Sequence, residues 1–282
     1  MLPEDMTMRT GTSWRTRIVA ALLVAGLAAL VAVTAEAQFR GRFAPRLATP
    51  EDYDGSFHFC RGWFRSSFGG DGGGWAADYP WADINLSIRL GEMTKTIVSH
   101  DAGGDPQPLI MRLSDPTLFQ CGFVMMTEVG AITISDEEAT NLRAYLLKGG
   151  FLWVDDFWGS YAWNFWANQI GKVFPPSEYP IVDLPPEHPL FNVQFKVAKT
   201  PQITNIGFWL GTGTTSERGP DSDVVHTRAI LDQDGRVMVL MTHNTDFSDS
   251  WEREAEDPSF FYKFAANGYA FGINVVLYSM TH

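Results

Sequence analysis

The amino-acid sequence predicts an α/β protein with a mostly parallel central sheet, and two observations carry that prediction. The first is the continuous apolar run over residues 123–126, which is typical of a strand buried on both faces. The second is a helix with a capping box at Ser135, ended by Gly149-Gly150 and followed at once by the apolar run 151–154. Strand, helix and strand in this order are typical of a doubly wound fold, so we expect residues 151–154 to form a central parallel strand.

The other elements are predicted from apolar runs and the turn residues that bound them. Residues 69–74 form a glycine-rich loop without the spacing of a phosphate-binding loop, and residues 177–220 are proline-rich and irregular. The elements predicted are strands over 57–64, 97–98 and 109–111, helices over 80–94 and from Ser160 to Pro175, a β-hairpin of 225–231 with 236–241 around Asp234-Gly235, and a C-terminal helix over 259–279.

Length and composition exclude several classes of protein. The chain has 282 residues, of which 45% are hydrophobic and 19% charged, as in a globular protein with one large domain. Acidic residues outnumber basic ones 33 to 21, which gives a net charge of −12. A surface of that sign repels polyanions, so nucleic acid is not an expected partner.

The N-terminus has the pattern of a secretory signal peptide. Arg15 and Arg17 precede the apolar residues 18–33, and Ala35 and Ala37 provide the small residues of a cleavage site before Gln38. We therefore expect residues 1–37 to be a signal peptide, 38–56 a linker or mobile arm, and 57–282 a single α/β domain in the periplasm. The alternative is an inner-membrane anchor formed by residues 18–34, because this run is only slightly shorter than the roughly 20 residues that span a bilayer.

Four motifs, taken in order, resemble a bacterial family called domain of unknown function 4159. The resemblance extends over nearly the whole chain after residue 57 and implies a flavodoxin-like three-layer sandwich similar to class I glutamine amidotransferases and trehalose-utilisation-like proteins. It also implies exported or membrane-linked proteins, and it brings no established activity or cofactor. The motifs are Phe59-Cys60-Arg61 with Asp78-Tyr79-Pro80, the segment from Leu142 to Phe157 with its Gly-Gly-Phe-Leu and Asp-Asp pairs, His188-Pro189-Leu190-Phe191, and Asn274.

Asp155 and Asp156 are the first candidate site residues, because ligands of open α/β sheets bind outside the carboxyl ends of the strands. Two carboxylates there could supply an acid or base, or bind a hard cation. The alternative is that one caps the next helix and the other is solvated. Since neighbouring side chains on an extended segment point in opposite directions, we expect one to be structural and the other to face a cleft beside His188.

Four further polar candidates lie elsewhere in the chain. His188 could act as a base or metal ligand, or be a structural residue of its proline-rich loop, and Asp246 follows the predicted strand 236–241 and could reach the same edge of the sheet. Arg61 could pair with Asp78 and hold the first strand against the first helix, or the two could recognise a ligand.

Two aromatic residues and two cysteines complete the candidates. Trp158 and Tyr161 follow Asp156 in a loop where exposed rings would bind a glycan or another small molecule. Export allows a disulfide between Cys60 and Cys121, and free buried cysteines are the alternative. Neither cysteine follows the strand 151–154, where an amidotransferase-like nucleophile would stand, so a thioester mechanism is not expected.

Three functions remain open from the sequence. The first is an exported, non-catalytic binding or assembly module that keeps an amidotransferase-like fold without its nucleophile and works with membrane-anchored partners. The second is a hydrolase or metal-dependent enzyme that uses Asp155, Asp156, His188 and Asp246. The third is a carbohydrate-binding protein, and fold alone does not choose among them because one fold hosts many chemistries.

Overall fold

The computed structural model of the chain describes residues 46–282. The predicted signal peptide 1–37 and residues 38–45 of the predicted linker 38–56 lie outside the described residues. Leu47–His282 forms one compact unit, which begins before Phe57 because Leu47 pairs with Ile110 and the Ala48 N–H donates to the Ile110 carbonyl at 2.7 Å. No helix among residues 46–282 is long and apolar enough to cross a membrane.

Seven strands of the described chain form the central sheet, in the order β3-β1-β4-β6-β9-β8-β7. The first five are mutually parallel, and β8 is antiparallel to both of its neighbours. If these five parallel strands are renumbered 1 to 5 in chain order, their order across the sheet is 2-1-3-4-5, which is the flavodoxin-like order. The strands are β1 Cys60–Trp63, β3 Leu109–Arg112, β4 Phe123–Thr127, β6 Phe151–Asp155, β7 Ile181–Asp183, β8 His226–Leu231 and β9 Val237–His243, while β2 Arg65–Ser66 and β5 Ile132–Thr133 form a separate antiparallel pair.

Helices cover both faces of the sheet, so the fold has three layers. On one face Phe151 and Trp153 of β6 pack with the elements α1, α5 and α7, and on the other Leu152 and Val154 pack with α2 and α3. The prediction of a mixed α/β sandwich with β6 at its centre is confirmed. The helices are α1 Trp81–Met93, α2 Asp136–Leu147, α3 Gly159–Val173, α4 Ile206–Thr212, α5 Phe247–Glu252, α6 Pro258–Phe260 and α7 Ala266–Thr281.

The predicted caps and turns account for several of these boundaries. The Ser135 side chain accepts a hydrogen bond from the Glu138 N–H while Glu138 Oε2 accepts one from the Ser135 N–H, so the capping box of α2 is formed. Gly235 adopts a φ of 84° in the β8–β9 turn, a conformation that glycine reaches without steric cost.

Four predicted segments differ from the structure. Residues 97–98 form only an isolated bridge from Phe57 to Val98, because they run past the end of the sheet. The segment 177–220 contains β7 and α4, and the C-terminal helix is divided by a π-helical turn over Phe261–Ala265. The predicted first strand is shortened to Cys60–Trp63.

Candidate functional site

Several acidic side chains lie at the carboxyl ends of the parallel strands. Glu128 follows β4 and Asp156 follows β6, with φ angles of 51° and 54°. Asn244 follows β9 with a φ of 65°, and Asp78 has a φ of 61° just before α1. The non-glycine residues with left-handed backbone in the described chain are thus concentrated around one edge, and such conformations cluster at functional sites.

Six carboxylates form what we call the acid cluster at this edge. Burial raises the pKa of each one, and repulsion between members adds to the increase for Asp78, Asp156 and Asp246. The members are Asp78, Glu128, Asp155, Asp156, Asp246 and Asp249.

Asp155 is the structural member of the adjacent pair. It is fully buried, its Oδ1 accepts a hydrogen bond from Thr242 Oγ1 at 2.5 Å, and its Oδ2 accepts one from the Phe247 N–H at 2.7 Å. Phe247 is the first residue of α5, so Asp155 satisfies an amide that the helix itself leaves free. Burial nevertheless raises the pKa of Asp155 to about 7.

Asp156 points toward the other acids. Its Oδ1 accepts a hydrogen bond from the Trp158 indole N–H at 2.8 Å, and the residue is 9% exposed. Burial is the largest cause of its raised pKa, followed by the charges of Glu128 and Asp78. The two neighbouring carboxylates therefore have different surroundings. The left-handed φ of 54° at Asp156, which follows the last residue of β6, means that strand alternation is not the cause of this difference.

The glycine-rich loop closes over Glu128. The Gly74 N–H donates to Glu128 Oε2 at 2.7 Å, and a Cβ on Gly73 would lie only 2.7 Å from the same oxygen. The loop thus contacts a carboxylate of the protein itself in the place where a nucleotide-binding loop would hold a phosphate.

Asp246 and Asp249 enter the acid cluster from the α5 turn. Asp246 Oδ1 accepts a hydrogen bond from the Asp249 N–H at 2.8 Å and so caps the helix, and Asp249 Oδ2 accepts one from the Ile206 N–H at 2.6 Å. Each of Asp78, Asp246 and Asp249 presents a carboxylate oxygen, and these oxygens lie within 4.8 Å of one another. Oxygen donors in this arrangement could hold a hard cation.

A family comparison bears on this region of the chain. The family model described as "Domain of unknown function (DUF4159)" matches residues 66–280, about three quarters of the chain. The chain belongs to this family. The matched region contains all six members of the acid cluster. No curated protein matches the chain.

In this member of the family, Arg61 pairs with a different carboxylate from the one expected. It forms a buried, bidentate ion pair with Asp83 rather than with Asp78, and its Nη1 donates to Thr127 Oγ1 at 2.9 Å. Asp83 lies in the first turn of α1, whereas Asp78 lies before the helix. The ion pair still joins β1 to α1, and no oxygen of Asp78 is used in it.

His188 does not meet the Asp155-Asp156 pair. Its ring lies 5.6 Å from that of Tyr278, whose hydroxyl accepts a hydrogen bond from the N–H of Val237, the first residue of β9. His188 is therefore at the amino edge of the sheet, opposite the acid cluster, because the chain turns back after β7 and buries Leu190 and Phe191 in the core. The expectation that His188 and a cleft-facing aspartate share a site is wrong.

The two aromatic candidates do not form an exposed platform. Trp158 is only 5% exposed, because its indole N–H is turned inward to Asp156. Tyr161 is 60% exposed, and its hydroxyl donates to the Gly69 carbonyl. The pair therefore offers one accessible ring instead of two.

Cys60 and Cys121 are joined by a disulfide, with Cα atoms 6.3 Å apart. Since the chain has two cysteines, this bond leaves no thiol to act as a nucleophile.

Glu128 and Asp249 are the site residues that sequence reasoning missed. Both had a usable signal: Glu128 directly follows an apolar strand, and Asp249 lies three residues after Asp246, on the same side of a helix. Within residues 46–282, no histidine forms a hydrogen bond or ion pair with the acid cluster.

Proposed function

We propose that this protein is an exported, non-catalytic binding module that docks a partner protein. The observation that carries the proposal is an apolar surface along α1 and the end of α7, which we call the α1–α7 face. Met93, Ile97 and Met280 are 46%, 76% and 51% exposed on it. Large apolar side chains grouped on a surface are typical of protein–protein contacts.

The α1–α7 face consists of two adjoining grooves that share Met93. One groove, of about 840 Å³, is lined by Ile97, Leu277 and Met280, and the other, of about 460 Å³, is lined by Phe261 and Ala270. Arg89 and Glu92 also line the second groove. A methionine-containing groove between helices fits an apolar segment of a partner, since methionine adapts its shape to what it contacts.

Two observations weigh against the other two hypotheses. His188, which the hydrolase hypothesis combines with Asp155, Asp156 and Asp246, lies at the opposite edge of the sheet. Trp158, on which the carbohydrate-binding hypothesis depends, is buried. Export itself rests on the signal-peptide pattern of residues 1–37 and predicts a mature N-terminus at or near Gln38, which N-terminal sequencing tests.

Site-specific photocrosslinking tests the docking role. A photoreactive phenylalanine analogue at Met93 or Ile97 should give one adduct of discrete mass in the native cell envelope, while the same analogue at Leu210, which is 60% exposed on α4, should give none. The partner identified from the adduct should bind purified chain, and Ile97→Glu should weaken this binding with an unchanged melting temperature.

Two results would contradict the docking role. An adduct with twice the mass of the chain would indicate self-association in place of a partner. Equal labelling at positions 93, 97 and 210, or labelling at none of them, would indicate that the α1–α7 face has no specific occupant.

A further inference from the structure

Three carboxylates of the acid cluster converge from two separate segments. Asp78 stands before α1, Asp246 caps α5, and Asp249 lies in the first turn of α5. Their nearest oxygens lie within 4.8 Å of one another. Oxygens that contact a single Ca²⁺ at about 2.3–2.6 Å can be at most roughly 5 Å apart, so the three atoms suit one ion of this kind.

Two of these carboxylates have buried oxygens without a hydrogen-bond donor. Asp78 Oδ2 is shielded from solvent and accepts no hydrogen bond. Asp249 is 1% exposed, and its Oδ1 accepts none either, although its Oδ2 is bound by the Ile206 N–H. A buried oxygen without a hydrogen-bond donor costs about 1–3 kcal/mol, and more when it is charged. Neither oxygen has such a donor within the described chain, and Asp249 Oδ1 has only a long ion pair, to Arg253 Nε at 3.8 Å.

The arginines nearest to these oxygens are already engaged. Arg61 binds Asp83 through two nitrogens. Arg253 Nε lies 3.8 Å from Asp249 Oδ1 but only 2.6 Å from Glu252, and its Nη1 donates to Glu256 at 2.7 Å. Glu128 and Asp156 add further negative charge nearby. The charge at this edge therefore exceeds what the neighbouring side chains neutralise.

We propose that Asp78, Asp246 and Asp249 bind one hard divalent cation of the Ca²⁺ type, which links the segment before α1 to α5. The donors are all carboxylate oxygens, without the sulfur or imidazole ligands that favour Zn²⁺. Asp246 keeps Oδ1 on the Asp249 N–H and offers Oδ2 to the ion. This site is independent of the α1–α7 face, and either proposal can fail without the other.

Asparagine variants test the site with little disturbance of the backbone. Asp78 has a φ of 61°, and Asn tolerates this conformation better than most residues. Asp78→Asn and Asp249→Asn each remove one charged ligand while keeping the size of the side chain. Asp234→Asn, in the exposed β8–β9 turn, is the matched control for the loss of one charge.

The experiment uses the purified chain, first treated with chelator. Equilibrium dialysis with Ca²⁺ should give one bound ion per chain, and saturation at about 100 times the dissociation constant should raise the melting temperature by roughly 5 °C or more. The Asp234→Asn control should behave like the wild type. Asp78→Asn and Asp249→Asn should lose the Ca²⁺-dependent rise and, in chelator at pH 8, melt no lower than the wild type, because each relieves repulsion between buried charges.

Several outcomes would overturn the proposal. Absence of bound Ca²⁺, Mg²⁺ and Mn²⁺ at millimolar concentration would show that the cluster holds protons instead of an ion. Binding that persists in both cluster variants would place the ion elsewhere. A melting temperature that responds to Zn²⁺ alone would contradict a hard-cation site. If a cluster variant melts far below the wild type in chelator, the Asp246→Asn variant, which keeps a capping side chain, provides the same comparison.

Discussion

The protein buries charge near α1 in two ways, and the two regions differ in how that charge is neutralised. Arg61 and Asp83 are both fully buried, and three hydrogen bonds from Arg61 go to Asp83 and Thr127. Asp78, only five residues before Asp83, belongs to the acid cluster, where Asp78 Oδ2 and Asp249 Oδ1 accept no hydrogen bond. A paired buried charge is compatible with a stable core, whereas an unpaired one must bind a proton or an ion.

The largest expected effect on stability comes from removing Arg61, which neutralises the buried charge of Asp83. Arg61→Met leaves Asp83 buried and unpaired, so the free energy of unfolding should fall by about 3–5 kcal/mol. Urea unfolding at pH 7 measures it. The double variant Arg61→Met with Asp83→Leu should recover much of this loss, because no isolated charge remains. A double variant as unstable as the single one would show that packing, and not charge, gives the pair its importance.

The pH dependence of stability tests the second region, the acid cluster. Burial raises the pKa of Asp155 from 3.8 to about 7, so the folded state binds this proton more tightly than the unfolded state does. The stability that this group contributes is complete below about pH 4 and is lost as the pH rises to about 7, at ~1.4 kcal/mol per pH unit. Urea unfolding across this range should show a decline that is smaller in Asp155→Asn.

The pKa of His243 is shifted in the opposite direction, so this residue is an internal control for the sign of the pH dependence. Burial lowers its pKa from 6.5 to about 4, so its contribution is complete above about pH 6.5 and is lost as the pH falls toward 4. The wild-type profile also contains the other members of the acid cluster, whose pKa values are raised too, and the difference between wild type and Asp155→Asn isolates the contribution of Asp155. A wild type that becomes less stable relative to Asp155→Asn as the pH falls would contradict the assigned direction.

Removing one hydrogen-bond acceptor of Arg61 should lower the stability by less than removing Arg61 itself. Thr127 Oγ1 accepts a hydrogen bond from Arg61 Nη1 at 2.9 Å. Thr127→Val keeps the shape and leaves one N–H of the guanidinium short of a partner, which should lower the free energy of unfolding by about 1–3 kcal/mol. Thr133→Val, on an exposed position of β5, is the control and should have little effect.

The smallest expected effect lies at the surface, where water takes the place of a buried partner. Arg218 Nη2 lies 3.0 Å from Asp71 Oδ2, and both side chains are partly exposed. Arg218→Ala should change the free energy of unfolding by less than about 1 kcal/mol. A loss as large as that of Arg61→Met would show that burial is not what separates the regions.

The fold was predictable from the sequence where local and long-range signals agree. The apolar run of β6 and the capping box of α2 each specify an element, and their order specifies a parallel crossover. The segment after β7 was not predictable in the same way, because proline-rich residues have no periodicity from which its return to the amino edge could be traced. For this reason His188 was predicted at the wrong edge of the sheet.

The candidate site was predictable only in part. Asp155, Asp156 and Asp246 could be assigned to one edge because each follows a strand of the sheet. The partner of Arg61 could not be chosen between Asp78 and Asp83, since that choice depends on where α1 begins and which side of its first turn faces β1. The unpartnered oxygens of Asp78 and Asp249 arise from three-dimensional packing and have no counterpart in the sequence.

The disulfide makes the folded chain sensitive to the redox state of its surroundings. The bond closes a loop of 61 residues in sequence separation that contains both α1 and β3. Closing a loop of that length lowers the entropy of the unfolded chain by an amount equivalent to roughly 4 kcal/mol of stability. Where thiols are kept reduced, the chain lacks this contribution, so its folded state is less stable there than in an oxidising compartment.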